Sequence, residues 1–159
     1  MAAVQKQPIA SEREANEISF GPMTGELGFH LRRGQVAAFK HFAQSVTAAE
    51  DITPGLYGML QVIANNEGLS QSALAEAMDV DRSSIVKVVN QLEERGLILR
   101  TAAPNDRRSY RLRLTAEGRL SLRRIEDAVM RQDRAFAEAL SEEERATLID
   151  LLTRLYQRG

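Results

Sequence analysis

Between Ser70 and Thr115 the apolar residues change from a helical to a strand period, so that two short helices hand the chain directly to a hairpin. Ser70 opens the first helix, which is expected to bury Leu74, Ala77 and Met78 and to stop at Asp79–Val80. Asp81 offers a carboxylate to the free amides of the second helix, where Ile85, Val89 and Leu92 recur at i, i+4 and i+7 with Val88 beside them. That stripe faces a core. The opposite face carries Arg82, Ser83, Ser84, Lys87, Asn90 and Gln91, side chains that hydrogen-bond base edges and phosphates in a groove wide enough to admit a helix. Val86 lies close enough to that face to touch a thymine methyl.

Arg95–Gly96 then ends the helix with a residue free to take a left-handed cap, and Leu97–Ile98–Leu99 starts a strand. On the return strand Tyr110, Leu112 and Leu114 point one way and Arg111 and Arg113 the other. Ala102–Ser109 reads as a polar hairpin loop whose basic tip suits a narrow minor groove, with Arg107 or Arg108 entering it. Asp106 would hold a neighbouring arginine in one rotamer, and Arg111 and Arg113 would contact phosphates. This order of elements predicts a winged helix-turn-helix docking on duplex DNA, with Ser70 at the amino end of its first helix joining the contact set.

The recognition segment DRSSIVKVVNQLEERGLILR, the wing PNDRRSYRLRLT and the following TAEG resemble the MarR family of bacterial transcriptional regulators, over the chain from about Leu27 to the C-terminus. The resemblance implies an obligate two-fold dimer whose first and last helices form the dimer domain, and small ligands bound between those helices and the DNA-binding lobe. Such ligands are often aromatic acids or related anions. Where the family usually has Asp-Pro before the wing tip, this chain has Ala103–Pro104, so any hydrogen bond of that aspartate is absent.

Outside the winged segment the chain is helical. Residues before about Pro22 read as a flexible polar arm, and Met23–Val46 as a helix with Leu27, Leu31, Ala38 and Phe42 along one stripe and Phe39 and Val46 adjoining. Gly28 and Gly34 inside it each cost about 1 kcal/mol relative to alanine, which the close approach of a partner helix would offset. Thr53–Pro54 starts a second helix that turns Leu56, Met59, Leu60 and Ile63 inward and ends at Asn66–Glu67–Gly68. Thr115 caps a helix expected from Ala116 to Leu140, about 37 Å at ~1.5 Å per residue and too long for so small a domain to cover. Ser141 and Glu144 form a capping-box pattern for a last helix carrying Leu148, Ile149, Leu152, Leu155 and Tyr156. Dimerisation accounts for this surplus of apolar face, and a dyad would set two recognition helices one duplex turn apart, ~34 to 36 Å, on a pseudopalindrome.

Composition narrows the function. With no cysteine, disulfides and cysteine-ligated metal centres are excluded, as is the cysteine-based peroxide sensing of one branch of the resembled family. The net charge is −1, yet Val80–Arg113 holds eight basic and four acidic residues, leaving −5 elsewhere, so the positive excess sits on the docking segment. No apolar run approaches the ~20 residues of a membrane span, and the amino terminus lacks a basic stretch followed by a long apolar one, which predicts a cytoplasmic protein without a membrane partner. No phosphate-cradling glycine loop, zinc-protease motif or nucleophile elbow appears, so no enzyme and no cofactor are expected. His30 and His41 share a helix face but lie ~16 Å apart along it, too far to chelate one metal.

The expected fold is mainly α with a small β-hairpin wing: a winged helix-turn-helix lobe over 53–115, a helical dimerisation region over 23–52 and 116–159, and an arm over 1–22. The line His30, Arg33, Ala37 and His41, with Lys40 adjacent, runs beside the apolar stripe; with Phe42, Tyr57 and Met59 as a floor it would suit an anionic ligand bearing an apolar ring or thioester tail, or else be a solvated basic face or one paired with acidic residues of a partner subunit. The reading is a homodimeric repressor that leaves double-stranded DNA when such an effector binds. A ligand-independent architectural DNA binder is the alternative, and a protein-interaction module a third.

Overall fold

A computed structural model describes residues 18–103 and 106–157, the side chains of 103–109 excepted. In chain order its elements are α1 (Leu27–Phe42), α2 (Pro54–Asn65), β1 (Leu69–Ser70), α3 (Gln71–Ala77), α4 (Arg82–Glu94), β2 (Ile98–Ala103), β3 (Asp106–Leu114), α5 (Ala116–Phe136) and α6 (Glu142–Tyr156). The chain divides into two compact units, Met1–Gln35 and Val36–Gly159.

Each residue read as a helix cap serves as one. Thr53, Ser70, Asp81, Thr115 and Ser141 all have extended backbone and accept from an amide in the first turn of α2, α3, α4, α5 and α6 respectively. Each such bond satisfies one of the four amides a helix start leaves unpaired. At Ser141 the box is reciprocal: its own amide donates to Glu144 Oε2 at 2.8 Å.

In the first unit a 3-10 turn (Gly21–Gly25) precedes α1, so the single helix expected from Met23 begins at Leu27 instead. His30 Nε2 donates to the Thr24 carbonyl at 2.8 Å, which ties that turn to the helix. Leu27 and Leu31 are exposed. Residues 1–17 of the expected arm lie outside the described residues.

In the second unit, α1 passes into a π turn (Ala43–Thr47) and a last turn (Ala48–Glu50). Ser45 donates its hydroxyl back to the His41 carbonyl at 2.8 Å, competing with the regular helical ladder where the winding changes. Val46, Ile52, Leu60, Ile63, Leu74, Ile85, Val89, Leu92, Leu112 and Ile125 form the centre of one core under α2, α3, α4, β3 and α5.

The sheet has strand order β1-β3-β2, antiparallel throughout. Leu69 pairs with Leu112 and Ile98 with Leu114. The two-residue β1 was not legible in the sequence, being too short to alternate. Pairing of β2 with β3 continues to Ala103 opposite Asp106 after an irregularity at Ala102/Ala103, so the hairpin is strand for longer than the expected loop of 102–109. Tyr110 alternates with Leu112 and Leu114 but is 48 % exposed.

Two further expectations shift. In α3 the buried alanine is Ala75, with Ala77 exposed, since Leu74 and Ala75 face the core and the helix ends one residue before Met78. Met78, partly buried against the core as expected, also lies against Gly58, where an added Cβ would stand 3.1 Å from its Cε. The long helix ends at Phe136 rather than Leu140.

The start of α5 is pinned most tightly. Thr115 donates its hydroxyl to the Gly96 carbonyl at 2.6 Å while accepting from the Gly118 amide at 2.8 Å. A Cβ built on Gly118 would fall 1.9 Å from the Leu97 carbonyl oxygen, so only glycine lets the helix lie against the chain entering β2. Gly96, at φ +69°, makes the left-handed turn that delivers Leu97 to that contact.

Candidate nucleic-acid interface

The amino end of α4 is organised by one carboxylate. Asp81 accepts from the Ser84 amide at 3.0 Å, from the Ser83 hydroxyl at 2.6 Å and from the Ser84 hydroxyl at 2.7 Å. These bonds, the two hydroxyls first, hold its carboxyl well below the usual carboxylate range. Ser83 and Ser84 have thereby spent their hydroxyl protons, so each presents oxygen lone pairs outward. Arg82, Ser83, Val86, Lys87 and Gln91 are exposed, and Ser84 and Asn90 half-buried. The face read as polar is therefore open over most of its length, a donor-rich helix surface with the positive end of the helix dipole at its start.

At the other end, Arg95 donates to the Asp51 carbonyl at 2.8 Å, anchoring the close of α4 to the turn after α1. Ser70 is a cap, accepting from the Ala73 amide at 3.1 Å. Arg111, on β3, donates to the Gly68 carbonyl at 2.9 Å, which fixes the turn before β1; Arg113 is exposed. The side chains of Asp106, Arg107 and Arg108 lie outside the described residues.

Two residues that shape this face, Arg100 and Glu93, escaped the sequence reading. Arg100 on β2 donates Nη1 to Asn90 Oδ1 at 2.9 Å and pairs through Nη2 with Glu93 Oε2, while its amide reaches Glu93 Oε1 at 3.3 Å. Its guanidinium also lies over the Tyr110 ring, 5.9 Å from the centroid. The signal was present: a strand period puts Arg100 on the same face as buried Ile98, and a charge there requires a partner. The hydrogen bond from Arg100 is the main cause holding the Glu93 carboxyl below its ordinary range, with burial opposing it. A depressed folded pKa gives stability that is fully present above the unfolded carboxylate pKa and is lost as pH falls through the folded one. Wild type is thus expected to be more stable than Glu93→Gln at neutral pH, with the difference shrinking in acid. Urea unfolding at stepped pH checks this, and a constant difference would contradict it.

The residues proposed for a ligand divide between the units. In the first, Arg33 lies over the rings of Phe20 and Phe29 at 5.5 and 5.6 Å, and His30 is committed to Thr24. In the second, Lys40 is exposed, and His41 Nδ1 lies 3.1 Å from Gln132 Nε2. Tyr57 accepts from Gln61 at 3.0 Å, and Gln61 also donates to Glu126 at 2.7 Å. Phe42 and Met59 belong to the packed core and offer a ligand no free surface in this conformation. One cleft of about 170 Å³ opens among α2, β3 and α5 and another of about 380 Å³ where α5 meets α6; none of Lys40, His41, Phe42, Tyr57 and Met59 lines either. Among the described residues no group of acidic or histidine side chains is placed to hold a metal.

A helix-turn-helix with an exposed polar second helix, followed by a long antiparallel hairpin, defines the winged helix class of DNA-binding proteins. Residues 52–110 match the model of the MarR family. A protein of Thauera aromatica assigned to transcriptional regulation of an hcr operon is 68 % identical over 142 residues, 89 % of this chain and 86 % of that one. The transcriptional repressor CouR bound to a 23-mer DNA duplex superposes with a TM-score of 0.84 at 32 % identity, covering 89 % of this chain and 99 % of the other. CouR bound to p-coumaroyl-CoA superposes with a TM-score of 0.81 at 28 % identity, over 90 % and 100 % of the two chains. The chain belongs to the MarR family and is a transcriptional regulator. Among the described residues no helix is long and apolar enough to cross a membrane.

Proposed function

We propose that the protein is a homodimeric repressor that binds a pseudopalindromic operator and leaves it when a small anionic ligand, an aromatic acid or its coenzyme A thioester, binds. The observation that carries the reading is the open face of α4: Arg82, Val86, Lys87 and Gln91 are exposed beside a hairpin wing, with the helix held at both ends by Asp81 and Arg95. Likeness to a CouR–DNA complex supports it.

The dimer rests on uncovered apolar side chains. In α6, Leu148, Ile149, Leu151 and Leu155 are all 45 % exposed or more, and the helix buries none of its residues within the chain. Val36 and Phe39 on α1 are likewise exposed, and an added Cβ at Gly28 or Gly34 would meet nothing within 4 Å. So much unpartnered apolar surface is costly in water and suits a subunit interface. A dyad also sets the spacing of two α4 helices on the duplex.

The test is retention of one promoter fragment by the purified protein against excess competitor DNA. Sedimentation should give twice the 17.7 kDa chain mass. Lys87→Ala is expected to weaken specific binding by about 1 to 3 kcal/mol if the lysine reads a base, and to relax preference at one position per half-site. A fragment held no better than competitor would remove the operator from the reading.

For release, a ligand need only bind more tightly to a dimer whose recognition helices are wrongly spaced. Likeness to CouR with p-coumaroyl-CoA supports an aryl thioester or acid as the class. Calorimetry against aromatic carboxylates and their coenzyme A thioesters is expected to find a binder that lowers DNA affinity. Lys40→Ala and His41→Ala, made separately, should each weaken it. Binding untouched by both would move the ligand site elsewhere.

A further inference from the structure

We propose that Arg100 is a positioning residue that holds the Asn90 carboxamide with Oδ1 toward the wing strand, so that Asn90 presents its Nδ2 donors to the DNA. The inference rests on the DNA-binding reading of α4 and deepens it.

Asn90 stands on the stripe of α4 that carries Ser83, Val86 and Lys87, one to two turns before it. Its Oδ1 accepts from Arg100 Nη1 at 2.9 Å. A guanidinium has five donors and no acceptor, so only the oxygen of the amide can face it, and Nδ2 is left to point away. Arg100 cannot readily swing aside. Glu93 takes its other nitrogen and its backbone amide, and the Tyr110 ring lies beneath the guanidinium at 5.9 Å. One arginine on the wing strand therefore holds a residue of the recognition helix in one orientation, with about a quarter of its own side chain exposed.

The consequence is a restriction on the base. Asparagine reads adenine by accepting from N6 and donating to N7 together. With Oδ1 turned toward Arg100 and one of its two lone pairs used, that two-point pairing is weakened. The free Nδ2 hydrogens match bases that present acceptors, guanine at N7 and O6 or thymine at O4. Asn90 thus favours guanine, which offers Nδ2 two adjacent acceptors, or thymine over adenine, whose single acceptor N7 stands beside the N6 donor.

The experiment uses the full-length protein on its footprinted operator, with each base pair replaced in turn, for wild type, Asn90→Ala, Arg100→Met and Arg100→Lys. Asn90→Ala should flatten preference at one position per half-site by about 5- to 20-fold, and the preferred base there should be guanine or thymine on the contacted strand. Arg100→Met releases Oδ1 and should shift that position alone toward adenine, leaving the positions read by Lys87 and Arg82 unchanged. Arg100→Lys keeps the charge beside Glu93 and a donor toward Asn90, so it should partly restore the original preference; it also carries the test should the methionine variant fail to fold.

Adenine preferred by wild type at the Asn90-dependent position would overturn the proposal. So would a loss in Asn90→Ala that is uniform over all sequences, which marks a phosphate contact, or a loss in Arg100→Met equal for every base, which marks a merely structural arginine. A wild-type protein that discriminates no fragment from competitor would fail earlier and differently, removing the DNA-binding reading itself.

Discussion

Gly118→Ala should destabilise the fold by about 3 kcal/mol or more, beyond the usual range for a single added methyl group. The reason is what the methyl would meet. Its carbon would lie 1.9 Å from the Leu97 carbonyl oxygen and 2.8 Å from the carbonyl carbon, both backbone atoms that cannot rotate away. Relief requires α5 to lift from the chain entering β2, which strains the Thr115 hydrogen bonds to the Gly96 carbonyl and the Gly118 amide. Because α5 also buries Leu122 and Ile125 against the core, the displacement is felt beyond the junction. Gly58→Ala is the control. Its new methyl meets only the flexible end of Met78, at 3.1 Å, and should cost far less. Chemical unfolding followed by far-ultraviolet circular dichroism compares the two, and equal losses would refute the argument from rigid backbone.

Replacing both Arg107 and Arg108 by alanine should leave the fold intact and reduce DNA binding steeply. The hairpin is held at its base by the pairing of Ile98 with Leu114 and Arg100 with Leu112, and by the burial of Leu112 and Leu114, none of which involves the two arginines. Each subunit would lose one or two contacts that displace condensed counterions, so the slope of log K against log salt should become shallower by about two to four for a dimer. Preference for A·T-rich flanks should fade if the wing is what reads groove width, while discrimination at the positions facing α4 persists. Unchanged affinity and slope would make the wing a solvated loop and withdraw the arginine contacts.

The caps and the periods were legible in the sequence because they are local. A side chain such as Asp81 or Ser141 reaches amides three residues on, and Ile85, Val89 and Leu92 share a face by helix geometry alone. The same locality explains the errors. Tyr110 shares the alternation of Leu112 and Leu114 but is half exposed, since alternation fixes a side chain's face and not what packs over it. Ala75 replaces Ala77 inside for the same reason, since a seven-residue helix buries whichever residues its neighbours cover. Phe42 and Met59 were read as the floor of a pocket because sequence marks a residue as apolar without saying whether the space beside it is filled.

By itself, then, the sequence determined the order of the helices and of the two hairpin strands, the polar outer face of α4 and the apolar surplus of α1 and α6, all properties of residues within a turn or two of one another. Tertiary structure alone decided that Asn90 is held by Arg100, ten residues and one strand away, that Arg111 turns back to the Gly68 carbonyl, and that Gly118 must be glycine. Those contacts join segments whose separation along the chain carries no period. They exist because the core brings α4, the hairpin and α5 to one place, and the polar groups arriving there had to find partners once water was excluded.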